Sequence, residues 1–175
     1  MSLVEQLKDA ILDVPDFPKP GIVFKDITPV LADHRLFHEL IQHWVDRYRD
    51  DRITQVVGIE SRGFILGAPL ALALGCGFTV IRKPGKLPRP VRTQSYSLEY
   101  GTDTLCIHQD ALHAEDRVVL VDDVLATGGT ANAACHLVES TGAVLFEATF
   151  LMELAFLQGR DHVGQRSVYS VLTYG

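Results

Sequence analysis

Two adjacent carboxylates, Asp122 and Asp123, stand at the end of the apolar run Val118-Val-Leu-Val121. Val124-Leu-Ala126 follows, and Thr127-Gly-Gly-Thr130 then opens a helical stretch. An apolar run of this kind reads as a strand buried on both faces, which places its tip rigidly. Glycines where a helix begins let backbone N–H groups turn inward, and the helix N-terminus adds partial positive charge. With the threonine hydroxyls as further donors, Ala126, Thr127, Gly128, Gly129 and Thr130 make a socket for one phosphate. The two acids cannot serve phosphate, because like charges repel. They suit the hydroxyls of a ribose, or a metal held near phosphate. A ribose with a 5-phosphate at one end and Mg-bound pyrophosphate at the other carries all the matching groups. The segment lacks the Gly-Lys-Ser/Thr ending of a Walker A loop and is not a GxGxxG turn. The alternative is a solvent-facing acidic turn before a capped helix.

A second anion site is suggested by Glu60-Ser61-Arg62-Gly63, which follows an apolar strand pattern and precedes a helical one. Gly63 permits close backbone approach, and the planar fork of Arg62 matches phosphate oxygens. Alone, the tetrapeptide also reads as a helix cap with a surface arginine. Arg82-Lys83-Pro-Gly-Lys86-Leu-Pro88 carries three cations and three turn formers. It is either a solvated surface loop or a mobile flap whose cations balance pyrophosphate as a C1–oxygen bond breaks. Arg82, Lys83, Lys86, Arg89 and Arg92 occupy eleven residues without an acid, in a chain of net charge −6. A local basic loop on an acidic chain suits a small anion and argues against a nucleic-acid partner.

Two further segments could meet an acceptor. Phe24 follows the rigid turn Phe17-Pro-Lys-Pro-Gly21, and its ring could stack on a purine while neighbouring backbone groups pair with the purine edge. Taken alone, Phe24 reads more readily as a core residue. In Ser95-Tyr-Ser-Leu-Glu-Tyr-Gly101, Glu99 could exchange a proton with a ring nitrogen, and Tyr100 could lie over the site on a moving turn. A polar hairpin is the plainer reading.

The elements that must position these residues follow from periodicity. Leu3, Val4, Leu7, Ala10, Ile11 and Val14 recur at helical spacing, so a first helix is predicted to run to about 13–15. Leu36 to Tyr48 form a second helix with Asp33 as its N-cap. Strands are predicted at 56–59, 78–81, 94–98, 104–107, 117–121, 143–151 and 168–172. A buried core helix is expected over 64–74, a loop over 122–129 and a helix over 130–140. The alternation implies an α/β fold, a mostly parallel twisted sheet flanked by helices, with ligands beyond the carboxyl ends of its strands. The chain's 175 residues suit a single domain, 1–175. No apolar run reaches a membrane span, so no membrane partner is expected. The N-terminal stretch does not read as a signal peptide. Cys76, Cys106 and Cys135 form no metal or disulfide spacing and read as reduced thiols of a cytoplasmic protein.

The segment 118–130 resembles the PRPP-binding signature of the type I phosphoribosyltransferases, where PRPP is phosphoribosyl pyrophosphate. The similarity runs from about Val14 to Glu153. It includes the block around Phe17–Asp26, Glu-Ser-Arg-Gly-Phe, Ile-Arg-Lys-Pro-Gly-Lys-Leu-Pro and Ser-Tyr-Ser-Leu-Glu-Tyr-Gly, which are similar to the adenine-accepting branch. The resemblance implies the type I fold with a small N-terminal hood (about 1–32) and a mobile flap (about 82–104). It implies transfer of the 5-phosphoribosyl group from PRPP to adenine, giving AMP and pyrophosphate, in purine salvage. Asp122 and Asp123 would meet the ribose, and Ala126 to Thr130 the 5-phosphate. Glu60, Ser61, Arg62, Arg82, Lys83 and Lys86 would serve pyrophosphate, with a non-proline cis peptide at Glu60–Ser61. Val23, Phe24 and Lys25 would bind adenine. Glu99 and Arg62 would be catalytic, with Tyr100 on the flap. Mg²⁺ would be the cofactor, held mainly through PRPP, and the assembly a homodimer. Lys25 stands where the family commonly has arginine. A 6-oxopurine transferase and a non-catalytic PRPP-sensing regulator are the alternatives.

Overall fold

The computed structural model describes residues 1–97 and 101–175. They form two compact units, Met1–Arg47 and Tyr48–Gly175. In the first unit, α1 (Leu3–Ala10) starts on a capping box in which Ser2 Oγ accepts from the Glu5 amide and the Glu5 carboxylate accepts from the Ser2 amide. The helix ends at Ala10, earlier than its apolar spacing predicts. Residues Leu12–Pro15 are instead strand β1, paired antiparallel with β2 (Val23–Asp26). Pro15 disfavours the helical region for Val14, and the partner strand captures the extended segment. A short helix not anticipated from the sequence, α2 (Thr28–Ala32), follows. Asp33 caps α3 (His34–Tyr48), its Oδ1 accepting from the amides of Arg35 (3.0 Å) and Leu36 (3.1 Å).

The second unit is built on a five-stranded parallel sheet. Its strands are β3 (Gln55–Ile59), β4 (Gly77–Ile81), β7 (Arg117–Leu125), β8 (Val144–Leu154) and β9 (Val168–Tyr174), in the order β4-β3-β7-β8-β9. The central β7 is fully buried from Val118 to Val121, so its position is fixed by packing on both faces. It does not stop at Val121. Pairing with β8 continues from Asp122↔Phe150 to Leu125↔Glu153, so both acids belong to the strand rather than to a loop. Aspartate disfavours strands in isolation, but a partner already in register overrides that preference.

Helix α4 (Arg62–Leu74) follows β3, and Pro69 does not break it. It is not the wholly buried helix expected: Ile65 is 45% exposed and Leu72 84%. Strands β5 (Val91–Ser97) and β6 (Thr102–His108) form a separate antiparallel hairpin. It is tied to the end of β4 by reciprocal backbone bonds between Arg82 and Cys106. Helix α5 (Gly129–Ser140) follows β7, and a short α6 (Gly159–Val163) precedes β9. The three cysteines are free thiols, Cys106 and Cys135 buried. Among the described residues no helix is long and apolar enough to cross a membrane.

Candidate active site

Neighbouring parallel strands end on the same edge of a sheet, which is where the chain leaves them for its loops. In β4-β3-β7 the register Ile59↔Ile81 and Gly58↔Val121 brings Glu60, Arg82 and Asp123 to one level, with Asp122 one residue before. The Glu60–Ser61 peptide is cis. A cavity of about 520 Å³ opens there. Glu60, Ser61, Arg62, Lys83 and Lys86, which follow β3 and β4, line it together with Asp122, Asp123, Ala126, Thr127, Gly128 and Thr130 from the end of β7 and the start of α5.

Close approach of α4 to β7 depends on Gly63. A Cβ there would lie 2.7 Å from the Val121 carbonyl oxygen and 3.2 Å from Asp122 Oδ1. With no side chain in the way, the first turn of α4 rests on the tip of β7, and Arg62 Nε donates to Asp123 Oδ2. Asp123 is 4% exposed, so this buried charge is met by a counter-ion that itself stays partly exposed, the Arg62 side chain being 40% accessible. Asp122 keeps part of its surface at the cavity wall, yet burial is the strongest influence on its carboxyl. Burial and the neighbouring Asp123 charge push it well above the usual carboxylate range.

The loop before α5 has a backing that the sequence does not advertise. Gly128 (φ +87°) caps α5 in the left-handed region that favours glycine. Its missing Cβ would fall on the Gly159 carbonyl oxygen, and a Cβ on Gly159 would fall on the Ala126 carbonyl oxygen. The loop and the start of α6 therefore meet backbone to backbone. Arg160, the next residue, holds α6 in place by donating to both oxygens of Glu153 (2.8 and 2.9 Å) and to the Val168 carbonyl (2.8 Å).

After β3 and β4 the cations are gathered by acids. Glu60 accepts from the Lys83 amide (2.9 Å) and Arg82 Nε (3.3 Å) and pairs with Lys86. Burial opposes the Glu60 charge, but these cationic and amide donors outweigh it and hold the carboxyl below its ordinary value. Lys83 pairs with Asp103.

In the N-terminal unit, a second cavity of about 250 Å³ is lined by Val14, Phe17, Phe24 and Asp26. Phe24 is half-buried and meets Phe17 edge-on, with centroids 5.2 Å apart. Val23 is exposed, and Lys25 Nζ pairs with Asp13 (2.5 Å) across the β1–β2 ladder.

The phosphoribosyl transferase domain family matches residues 30–161. The adenine phosphoribosyltransferase of Anaeromyxobacter sp. (strain Fw109-5) is 56% identical over 98% of this chain and 97% of its own length. The chain belongs to the adenine phosphoribosyltransferase family. It transfers the 5-phosphoribosyl group of PRPP to adenine, releasing pyrophosphate and AMP, a purine-salvage reaction. Solved structures agree. The adenine phosphoribosyltransferase of Thermoanaerobacter pseudethanolicus superposes with a TM-score of 0.95 at 47% identity, covering 99% of this chain and 100% of that one. That of Saccharomyces cerevisiae, complexed with an imino-altritol bisphosphate and adenine, superposes at 0.92 with 42% identity, covering 97% and 98%. A 6-oxopurine acceptor and a non-catalytic sensor are not favoured by these relatives.

Within this enzyme the structure brings eleven of the residues singled out from the sequence to one cavity, five that follow β3 and β4 and six from the end of β7 and the start of α5. Arg82 stands behind Glu60, and Gly129 lies under the Tyr96 ring. Glu99 and Tyr100 lie outside the described residues. Val124, Leu125 and Ala131 also line the cavity. Tyr96, Asp103 and Gly159 were not singled out. Tyr96 and Asp103 are cross-strand partners, which the hairpin register alone could have indicated. Gly159, a lone glycine in a weakly patterned stretch, offers no such signal.

Proposed function

We propose that the cavity at the tips of β3, β4 and β7 holds PRPP end to end. The observation that carries this is the composition of its lining: Ala126, Thr127, Gly128 and Thr130 at the start of α5, the cations Arg62, Lys83 and Lys86 after β3 and β4, and the carboxylates Asp122 and Asp123 near the end of β7. The 5-phosphate sits on the loop before α5, and the ribose hydroxyls donate to Asp122 and Asp123. Arg62, Lys83 and Lys86 face pyrophosphate directly. Glu60 and Ser61 shape that end, Glu60 by keeping Arg82, Lys83 and Lys86 together, since a carboxylate cannot itself bind phosphate.

Mg²⁺ is a hard cation that takes oxygen ligands and retains water. Among the described residues no three His, Cys, Asp or Glu side chains converge as a protein cage. Asp122 and Asp123 nonetheless bring hard oxygens to the cavity, a set that suits an ion arriving on PRPP. When bound, the ion neutralises charge on the pyrophosphate. Mg–PRPP binds first. The chain's part in loss of pyrophosphate is then positioning and charge: Arg62, oriented by buried Asp123, meets the leaving group, and the fixed phosphate loop holds the oxocarbenium-like ribose for attack by adenine N9.

The N-terminal hood supplies the base contacts: Phe24 stacks on adenine, and backbone groups at Val23 and Lys25 read its edge. The Lys25–Asp13 pair supports a backbone role there. Glu99 as proton-transfer group and Tyr100 on a flap of about 82–104 follow from the resemblance. A homodimer in the cytoplasm completes the reading, supported by the exposed Ile65 and Leu72 on α4 and by three free thiols. AMP formation from PRPP and adenine, with and without Mg²⁺, tests it in wild type and in Asp122→Asn, Asp123→Asn and Arg62→Ala. Turnover needs Mg²⁺ and drops in all three variants. Near-normal activity in all three overturns the site.

A further inference from the structure

Lys83, a cation of the proposed pyrophosphate wall, is held by two groups of the β5–β6 hairpin. The Arg82–Cys106 bridge fixes the chain beside β6, and the following residue reaches the face of the hairpin where Tyr96 and Asp103 lie directly across from each other. Lys83 Nζ pairs with Asp103 Oδ2 and donates to the Tyr96 hydroxyl (3.3 Å). That hydroxyl donates to Asp103 Oδ2 (3.2 Å) and accepts from Thr130 Oγ1 (3.2 Å). A phenol has one proton and two lone pairs. With two acceptances and one donation the Tyr96 oxygen is saturated, and its proton direction is set by Asp103. Its ring lies over the start of α5, where a Cβ on Gly129 would be 3.4 Å away. One hydroxyl thus links the phosphate loop to the pyrophosphate wall.

We propose that Asp103 and Tyr96 are positioning residues that hold the Lys83 ammonium at the cavity wall for the leaving pyrophosphate. The proposal rests on the assignment of Lys83 to pyrophosphate given above. An ammonium has three N–H donors; Asp103 and Tyr96 take two while Lys83 still lines the cavity. A flexible lysine otherwise gives up much rotamer freedom on meeting an anion. Burial pulls the Lys83 ammonium down, but Asp103 and Tyr96 outweigh it and keep it above its ordinary value, so it stays charged. Charge alone predicts the opposite outcome, because removing the Asp103 carboxylate would leave the wall more positive and tighten anion binding.

The test is a double-mutant cycle read by pyrophosphate affinity, measured calorimetrically with Mg²⁺ and ribose 5-phosphate present, alongside KM and kcat for PRPP. Asp103→Asn and Tyr96→Phe each weaken pyrophosphate binding, by roughly tenfold for Asp103→Asn. Asp103→Glu restores most of it, and KM for adenine does not move. In a Lys83→Ala background Asp103→Asn has no further effect. Tighter pyrophosphate binding by Asp103→Asn, or an equal loss with and without Lys83, overturns the proposal. If Lys83→Ala itself leaves pyrophosphate affinity unchanged, the underlying assignment falls and the proposal with it. If Lys83→Ala weakens binding and Asp103→Asn does not, only the positioning role falls.

Discussion

Asp122 holds its proton more tightly in the folded chain than a solvated aspartate does, because burial and the Asp123 charge both oppose ionisation. Between the ordinary aspartate value and the raised folded one, the native chain binds more protons than the unfolded chain. Asp122 therefore costs stability as pH rises through that interval, and the cost vanishes once both states are protonated. Asp122→Asn should raise Tm at pH 7 and lose that advantage below about pH 3.9, the ordinary aspartate value. Thermal melts at the two pH values check this, and an unchanged or lower Tm at pH 7 contradicts the burial argument. The same substitution should depress turnover, so the site holds this acid at the expense of stability. Arg62→Ala should lower kcat by roughly 10²–10³, the loss typical of a preorganised charge-stabilising donor, with KM for adenine little changed. Steady-state kinetics with each substrate varied separates the two constants. At this scale the sequence was legible where chemistry is contiguous: Asp122 to Thr130 declare themselves as a run. Asp103 did not, because its meaning depends on Lys83, twenty residues earlier in the chain and adjacent only in the fold.

The elements show why strand bodies were easier to place than strand ends. Apolar runs located β3, β4 and the body of β7, and alternation with helices implied the parallel sheet. The pattern stopped β7 at Val121, since two acids look like a loop, whereas pairing with β8 carries it to Leu125. Helix α1 was overextended for the converse reason: Ile11 and Val14 keep helical spacing, but β2 offers the segment a ladder. The loop before α5 depends on α6, an element with no sequence signal. Gly159→Ala should displace the Ala126 carbonyl, because backbone on both sides leaves the methyl no room. We expect KM for PRPP to rise about tenfold or more and stability to fall by about 1–3 kcal/mol, the range for overpacking. KM for adenine at saturating PRPP should stay near wild type. Chemical denaturation and kinetics together test this; a normal KM for PRPP would show that the loop does not lean on α6.

For the whole molecule, the two compact units carry separable tasks in this account: base recognition in Met1–Arg47, PRPP handling in Tyr48–Gly175. Phe24→Ala should raise KM for adenine by about tenfold or more, given about 1–3 kcal/mol for stacking of a base on an aromatic ring. Ribose 5-phosphate affinity should be unaffected. A parallel loss of both would mean that Phe24 is structural. The central claim is that PRPP spans the cavity from the loop before α5 to the basic wall. Its most direct test is a crystal structure with Mg²⁺ and PRPP bound. We expect the 5-phosphate on the amides of residues 126–130, the ribose hydroxyls on Asp122 and Asp123, and the pyrophosphate beside Arg62, Lys83 and Lys86. Density for the ligand with its 5-phosphate at Arg62 and its pyrophosphate at Thr127–Thr130, or outside this cavity altogether, would contradict it.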